Sequence, residues 1–145
     1  MDIRILKLSN EKGASDSLSS MDILSMHLGY FLINGKVTYS TDVPIANKPD
    51  YVLLTLGNVE NLCYLCHVEN YDYMGKNMLF LPDEKDFKDN APDKYKDDKN
   101  VSWLLFDSMQ KIPIDFLDEI YSNGKITKFI KDSANNKNIK SWMFV

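Results

Sequence analysis

Apolar and polar positions alternate in short blocks along the chain, and the blocks predict more strands than helices. Residues 3–6 form a brief apolar run that predicts an edge strand. Residues 11–20 are polar, with a glycine and several serines, and read as a loop. Ser19 or Ser20 can cap a helix over residues 21–28, with Asp22 in its first turn and Gly29 closing it. Residues 30–33 and 36–39 flank Asn34-Gly35, a dipeptide suited to the two positive φ angles of a type I′ turn, so a β-hairpin is predicted there. Asn47-Lys48-Pro49-Asp50 is a turn. Residues 51–56 are nearly all apolar, as in a strand buried on both faces. Residues 61–69 have no Gly or Pro and predict its partner, which makes a second hairpin at the centre of a sheet.

Further on, residues 78–82 predict a short strand. Residues 83–100 predict a charged loop with one helical turn, and residues 101–107 another strand, continued by 109–112 after a bend. Pro113 suits the first turn of a helix over 114–121, which Ser122-Asn123-Gly124 would stop. A second helix is expected over 126–133, and residues 142–145 as a returning strand. The pattern gives five to seven strands with helices near the ends. That is the signature of an α+β fold, a small, curled, mostly antiparallel open β-barrel with flanking helices, read as one domain over 1–145.

Composition agrees with a packed core, since 44% of the residues are hydrophobic and 12% aromatic. The net charge of −4 draws no polyanion to the chain as a whole, but the charge is unevenly placed. Residues 121–145 hold five lysines and one aspartate, a net +4, which makes Lys125, Lys128 and Lys131 candidates for a nucleic-acid backbone. An ordinary solvated helix face explains the same lysines equally well. Residues 83–100 hold seven acids and five lysines, a net −2. Arg4 is the one arginine, which removes bidentate Arg recognition of guanine or phosphate as a general strategy.

Both cysteines and one of the two histidines lie in Cys63-Tyr64-Leu65-Cys66-His67. The spacing matches covalent haem attachment, and with His27 the same residues could make a Cys₂His₂ zinc set. A zinc C-x-x-C sits in a tight turn, however, and this one sits in a strand. Side chains three apart in a strand point to opposite faces, so the pair reads as two buried thiols rather than a metal or redox site. The first residues carry no long apolar core or small-residue cleavage site, and no run approaches a membrane span. A cytoplasmic protein without cofactor or membrane partner is expected. Walker, Rossmann, G-x-S-x-G and H-E-x-x-H motifs are missing from the sequence, so a non-enzyme is expected too.

Three segments carry a resemblance. Lys36 to Asp42 looks like an early barrel strand that ends in polar pocket residues. Pro49-Asp50-Tyr51-Val52-Leu53-Leu54 is similar to a "Gly-Asp-x-Val-apolar-apolar" strand, with Pro49 in place of the glycine. Trp103 to Phe106, followed by Lys111-Ile112-Pro113-Ile114, looks like a late strand entering a turn. Over residues 30–120 this order resembles the PUA-like superfamily, in particular its EVE and YTH branches. These include the N-terminal recognition domains of McrB-type modification-dependent restriction systems. The resemblance implies a nucleic-acid recognition module, DNA ahead of RNA, that reads a modified or flipped base and is fused to or associated with a motor or nuclease. It implies a base pocket drawn from Tyr39, Ser40, Thr41, Trp103 and Asp107. A Trp among Leu104, Leu105 and Phe106 also fits a core position, and Ser40 and Thr41 also fit strand-end turn chemistry. The competing expectation is a small protein-interaction factor, such as a phage- or plasmid-borne inhibitor, acting through its acidic surface.

Overall fold

The computed structural model describes residues 2–11, 17–56 and 63–113, and the backbone of 141–144. Its elements run β1 (Ile3–Leu8), α1 (Ser20–Asn34), β2 (Val37–Thr41), β3 (Tyr51–Leu56), β4 (Cys63–Tyr73), α2 (Lys85–Asp89), β5 (Ser102–Phe106), β6 (Gln110–Ile112) and β7 (Ser141–Phe144). The strands make one curled, open half-barrel in the order β2-β5-β4-β3-β1-β7, with β6 added beside β4. The pattern of alternating apolar blocks therefore does build a mixed helix-and-strand, barrel-like fold. It is less purely antiparallel than expected. β1 and β3 pair in parallel, Ile3 opposite Tyr51 and Leu8 opposite Leu56, and the other described pairings are antiparallel. A parallel pair needs a crossover, and α1 with β2 lies in the connection.

β4 is the longest strand because it serves both halves of the sheet. Its first part pairs with β3, Tyr51 opposite His67 and Thr55 opposite Cys63, which is the second hairpin expected from the sequence. Its last part pairs with β5, Val68 opposite Phe106 and Tyr73 opposite Ser102. The register shifts between Val68 and Asn70, and such a bulge bends a strand and lets a sheet curl. β6 then pairs with Cys63 to Leu65 on from the bend at Asp107, as the pattern of 109–112 suggested.

Two expectations fail at the start of the chain. β1 is not an edge strand, because β3 and β7 flank it. The hairpin over 30–39 is also absent. α1 runs through Gly29 and continues to Asn34, and Gly35 ends it in the left-handed region at φ 80, its N–H donating to Phe31 O at 2.7 Å. Only one positive φ is needed, and Gly35 supplies it. The apolar block 30–33 belongs to the helical period, with Ile23, Leu24 and His27 buried, Phe31 packed on the core, and Leu32 and Ile33 exposed. Ser19 caps the other end, its Oγ accepting from Asp22 N–H at 3.2 Å and donating to Asp22 Oδ2 at 2.8 Å.

The main core lies inside the curl. Leu6, Leu8, Val52, Leu54, Leu56, Cys66, Val68, Leu104 and Phe106 meet Ile23 and Leu24 of α1. β1 and β3 are buried on both faces, since Ile3, Ile5 and Leu53 point the other way and are buried as well. A smaller cluster of Phe87, Trp103 and Leu105, with Phe80 against it, fills the outer face of β5 beneath α2. The strand expected over 78–82 reduces to an isolated bridge between Phe80 and Asn100, and Met78, Leu79 and Leu81 are exposed. Residues 87–90 cover the free edge of β2. Asn90 O accepts from Thr38 N–H at 2.8 Å and Phe87 O from Thr38 Oγ1 at 2.7 Å. The helices expected over 114–121 and 126–133 lie outside the described residues.

Candidate functional site

The polar ends of β1 and β2 and one face of α1 converge on a cleft of about 770 Å³. β1 and the residues after it supply Lys7, Asn10 and Glu11. α1 supplies Ile23 and His27. β2 supplies Tyr39, Ser40 and Thr41, followed by Asp42 and Val43, and the loop after α2 supplies Tyr95 and Asn100.

The cleft has an aromatic wall. His27 and Tyr39 meet edge to face with ring centres 5.1 Å apart, while Tyr95 stacks on His27 at 5.5 Å and 20°. Tyr39 in turn stacks on Phe106 of the core at 6.0 Å. Glu11 holds Tyr95 in place, its Oε2 accepting from Tyr95 Oη at 3.1 Å and its Oε1 from Leu18 N–H at 2.7 Å. Lys94 lies 3.6 Å from the same carboxylate. The Leu18 amide, followed by Tyr95 and Lys94, holds the Glu11 carboxyl below the usual carboxylate range, against the opposing effect of desolvation. Burial raises the Tyr39 phenol, and burial together with the Glu11 contact raises that of Tyr95, so both hydroxyls keep their protons.

The polar rim is built of short side chains. Asn100 Nδ2 donates to Ser40 Oγ at 3.1 Å, and Thr41 Oγ1 accepts from Val43 N–H at 3.1 Å. Asn10 Oδ1 accepts from Ser20 N–H at 2.7 Å, tying the rim to the start of α1. Ser102 Oγ donates to Val43 O at 2.7 Å and accepts from Ile45 N–H at 3.0 Å, which fixes the chain beyond Asp42. One lysine, Lys7, lines the cleft with two acids, Glu11 and Asp42, so its lining carries no positive excess.

The expected pocket residues divide. Tyr39, Ser40 and Thr41 are in the cleft. Trp103 is not. It is 1% exposed, and its Nε1 donates to Phe80 O at 3.0 Å and Asn100 O at 3.3 Å, so it supports the loop that carries Asn100 and offers no ring face to a ligand. Asp107 is also elsewhere, just beyond β5, with its Oδ1 2.6 Å from His67 Nδ1. Lys125, Lys128 and Lys131 lie outside the described residues. Cys63 and Cys66 face opposite sides of β4, Cys63 donating to Ile112 O at 3.2 Å and Cys66 within the main core, where burial raises its thiol pKa. His27, Tyr95, Asn100 and Glu11 were not expected in the pocket. His27 had a sequence signal, its four-residue spacing from Ile23 on the buried face of α1. Tyr95 had none.

No family model matches the chain, and no curated protein or solved structure gives a significant match to it. Among the described residues, no helix is long and apolar enough to cross a membrane.

Proposed function

We propose that the chain is a nucleic-acid recognition module of the PUA-like type whose cleft receives a single base, modified or flipped from its stack. One observation carries this reading: Tyr39, Ser40 and Thr41 line the same cleft as His27 and Tyr95, an aromatic wall beside a polar rim. Stacking on a ring face and hydrogen bonds to a base edge are what offset the few kcal/mol lost on extruding a base. The cleft volume of about 770 Å³ lies in the range that encloses small organic ligands. The curled sheet is compatible with a small barrel of this type. In this reading the module has no reaction of its own, binds DNA in preference to RNA, and directs an associated motor or nuclease. The deciding experiment is binding of modified and unmodified DNA and RNA oligonucleotides at low salt, with Tyr39→Ala beside the parent. Binding that Tyr39→Ala weakens by more than its loss of folded protein accounts for supports the reading. If the parent binds none of them, the reading fails.

A second reading, a protein-interaction factor, is favoured by the exposed Met74, Met78, Leu79 and Leu81 that lead into the acidic 83–100 segment. A stable protein partner that is lost on charge reversal within 83–100 would support it over the first.

A further inference from the structure

His27 is 3% exposed, yet it lines the cleft. Its Nδ1 lies 2.7 Å from Ile23 O, one helical turn back. A carbonyl can only accept, so Nδ1 carries the proton and donates. Burial lowers the His27 pKa, leaving the ring neutral, and in the neutral ring Nε2 then holds a lone pair. Among the described residues no hydrogen bond engages that nitrogen, and it is not one of the closed-off buried atoms, Arg4 Nε and Thr55 Oγ1, so it is an acceptor open to the cleft. The ring cannot easily turn away, with Tyr95 stacked on it and Tyr39 set against it. Two neighbouring polar groups are already engaged. Asn100 donates to Ser40 and accepts from Val101 N–H at 3.0 Å, and Tyr95 Oη donates to Glu11.

On the base-recognition reading above, we infer that the cleft selects a neutral heteroaromatic ring that presents an N–H donor, either a ring N–H or an exocyclic amine, to His27 Nε2. An edge that presents only lone pairs would face another lone pair, and an N-methyl group would fill the space without restoring the bond. A site that accepts a hydrogen bond from the ligand discriminates against the analogue that lacks the donor. His27 therefore specifies the donor.

The test is calorimetric titration of the whole chain with the four deoxyribonucleosides, the four ribonucleosides and counterparts in which N-methyl replaces the N–H groups of the base edge. Short single-stranded oligonucleotides are titrated beside them, and the series is repeated on His27→Phe. For the tightest nucleoside, methylation is expected to weaken binding to the parent roughly three- to tenfold, the size of one net hydrogen bond. His27→Phe is expected to weaken the unmethylated nucleoside to a similar degree and to abolish the effect of methylation. Should His27→Phe fail to fold, methylated and unmethylated probes on the parent decide the matter alone. Binding indifferent to methylation overturns the inference and leaves base recognition standing. A methylation effect that survives in His27→Phe also overturns it, since another residue then reads the donor. If no nucleoside or oligonucleotide binds the parent, both readings fall.

Discussion

At the scale of single residues, the cleft depends on side chains whose protonation is fixed by burial. His27 has a folded-state pKa below its ordinary 6.5, because desolvation outweighs the favourable bond to Ile23 O. The unfolded chain therefore binds more protons than the folded one just below pH 6.5, and stability falls as the pH drops through that region. Glu11 titrates in the opposite chemical sense but acts in the same direction. Its folded pKa is lowered, so its contribution is present above its ordinary 4.5 and is lost as the pH falls through the folded value. Thermal melts from pH 8 to 5 are expected to show a declining midpoint, with the slope between pH 7 and 5.5 reduced in His27→Phe. An equal slope in the variant would assign the decline to other groups. Tyr95→Phe, which removes the bond to Glu11 and keeps the ring, is expected to cost about 1 kcal/mol in urea unfolding.

Elements show which parts of the fold were legible in the sequence. The β3–β4 hairpin was, because a continuous apolar run at 51–56 can be satisfied only by burial on both faces, and Val52 and Leu53 are indeed both buried. The alternation of Cys63 and Cys66 followed from the same strand geometry. The α1 boundary was not legible, because Asn-Gly serves two structures that share one need, a residue at positive φ. What separates them is the packing of Phe31 on the core, a contact that lies outside the local pattern. The two structures respond differently to substitution. In a type I′ turn both residues would be costly to replace. Here Gly35→Ala is expected to cost about 1 kcal/mol from backbone strain, since nothing lies within 4 Å of an added Cβ. Asn34→Ala, which loses only a 3.0 Å bond from Nδ2 to Tyr30 O at an exposed helix end, is expected to stay within about 0.5 kcal/mol of the parent. Denaturant titration of the two variants checks both. The strand expected at 78–82 failed for a related reason. Its apolar residues have β propensity, but only Phe80 finds a neighbour to pair with, Asn100.

For the whole molecule, the cleft was half legible. Tyr39, Ser40 and Thr41 sit at the end of a strand, where local reasoning looks for polar pocket residues. Tyr95 is held in the same place by contacts distant in sequence, its hydroxyl bonded to Glu11, 84 positions earlier, and its ring stacked on His27. Trp103 looked like a pocket ring and became a core residue, because its ring packs with Phe87 and Leu105 and its Nε1 is tied to Phe80 O and Asn100 O. Trp103→Ala is therefore expected to cost roughly 3–5 kcal/mol of stability through the cavity it leaves. Its effect on binding should vanish once unfolded protein is discounted, and chemical denaturation run beside oligonucleotide binding separates the two. With no positive excess in its lining, the cleft is expected to bind free nucleosides with an affinity nearly unchanged between 50 and 200 mM salt. An oligonucleotide that touches phosphate-binding lysines elsewhere should weaken over that interval. A nucleoside affinity that falls steeply with salt would mean that charge, not stacking, carries the binding.

The double duty of β4 has a thermodynamic consequence. Because one strand is paired to β3 along its first part and to β5 along its last, neither half of the sheet can melt while the other keeps its full complement of hydrogen bonds. The two halves are thereby linked into one cooperative unit, whose near- and far-ultraviolet circular dichroism should report a single coincident transition.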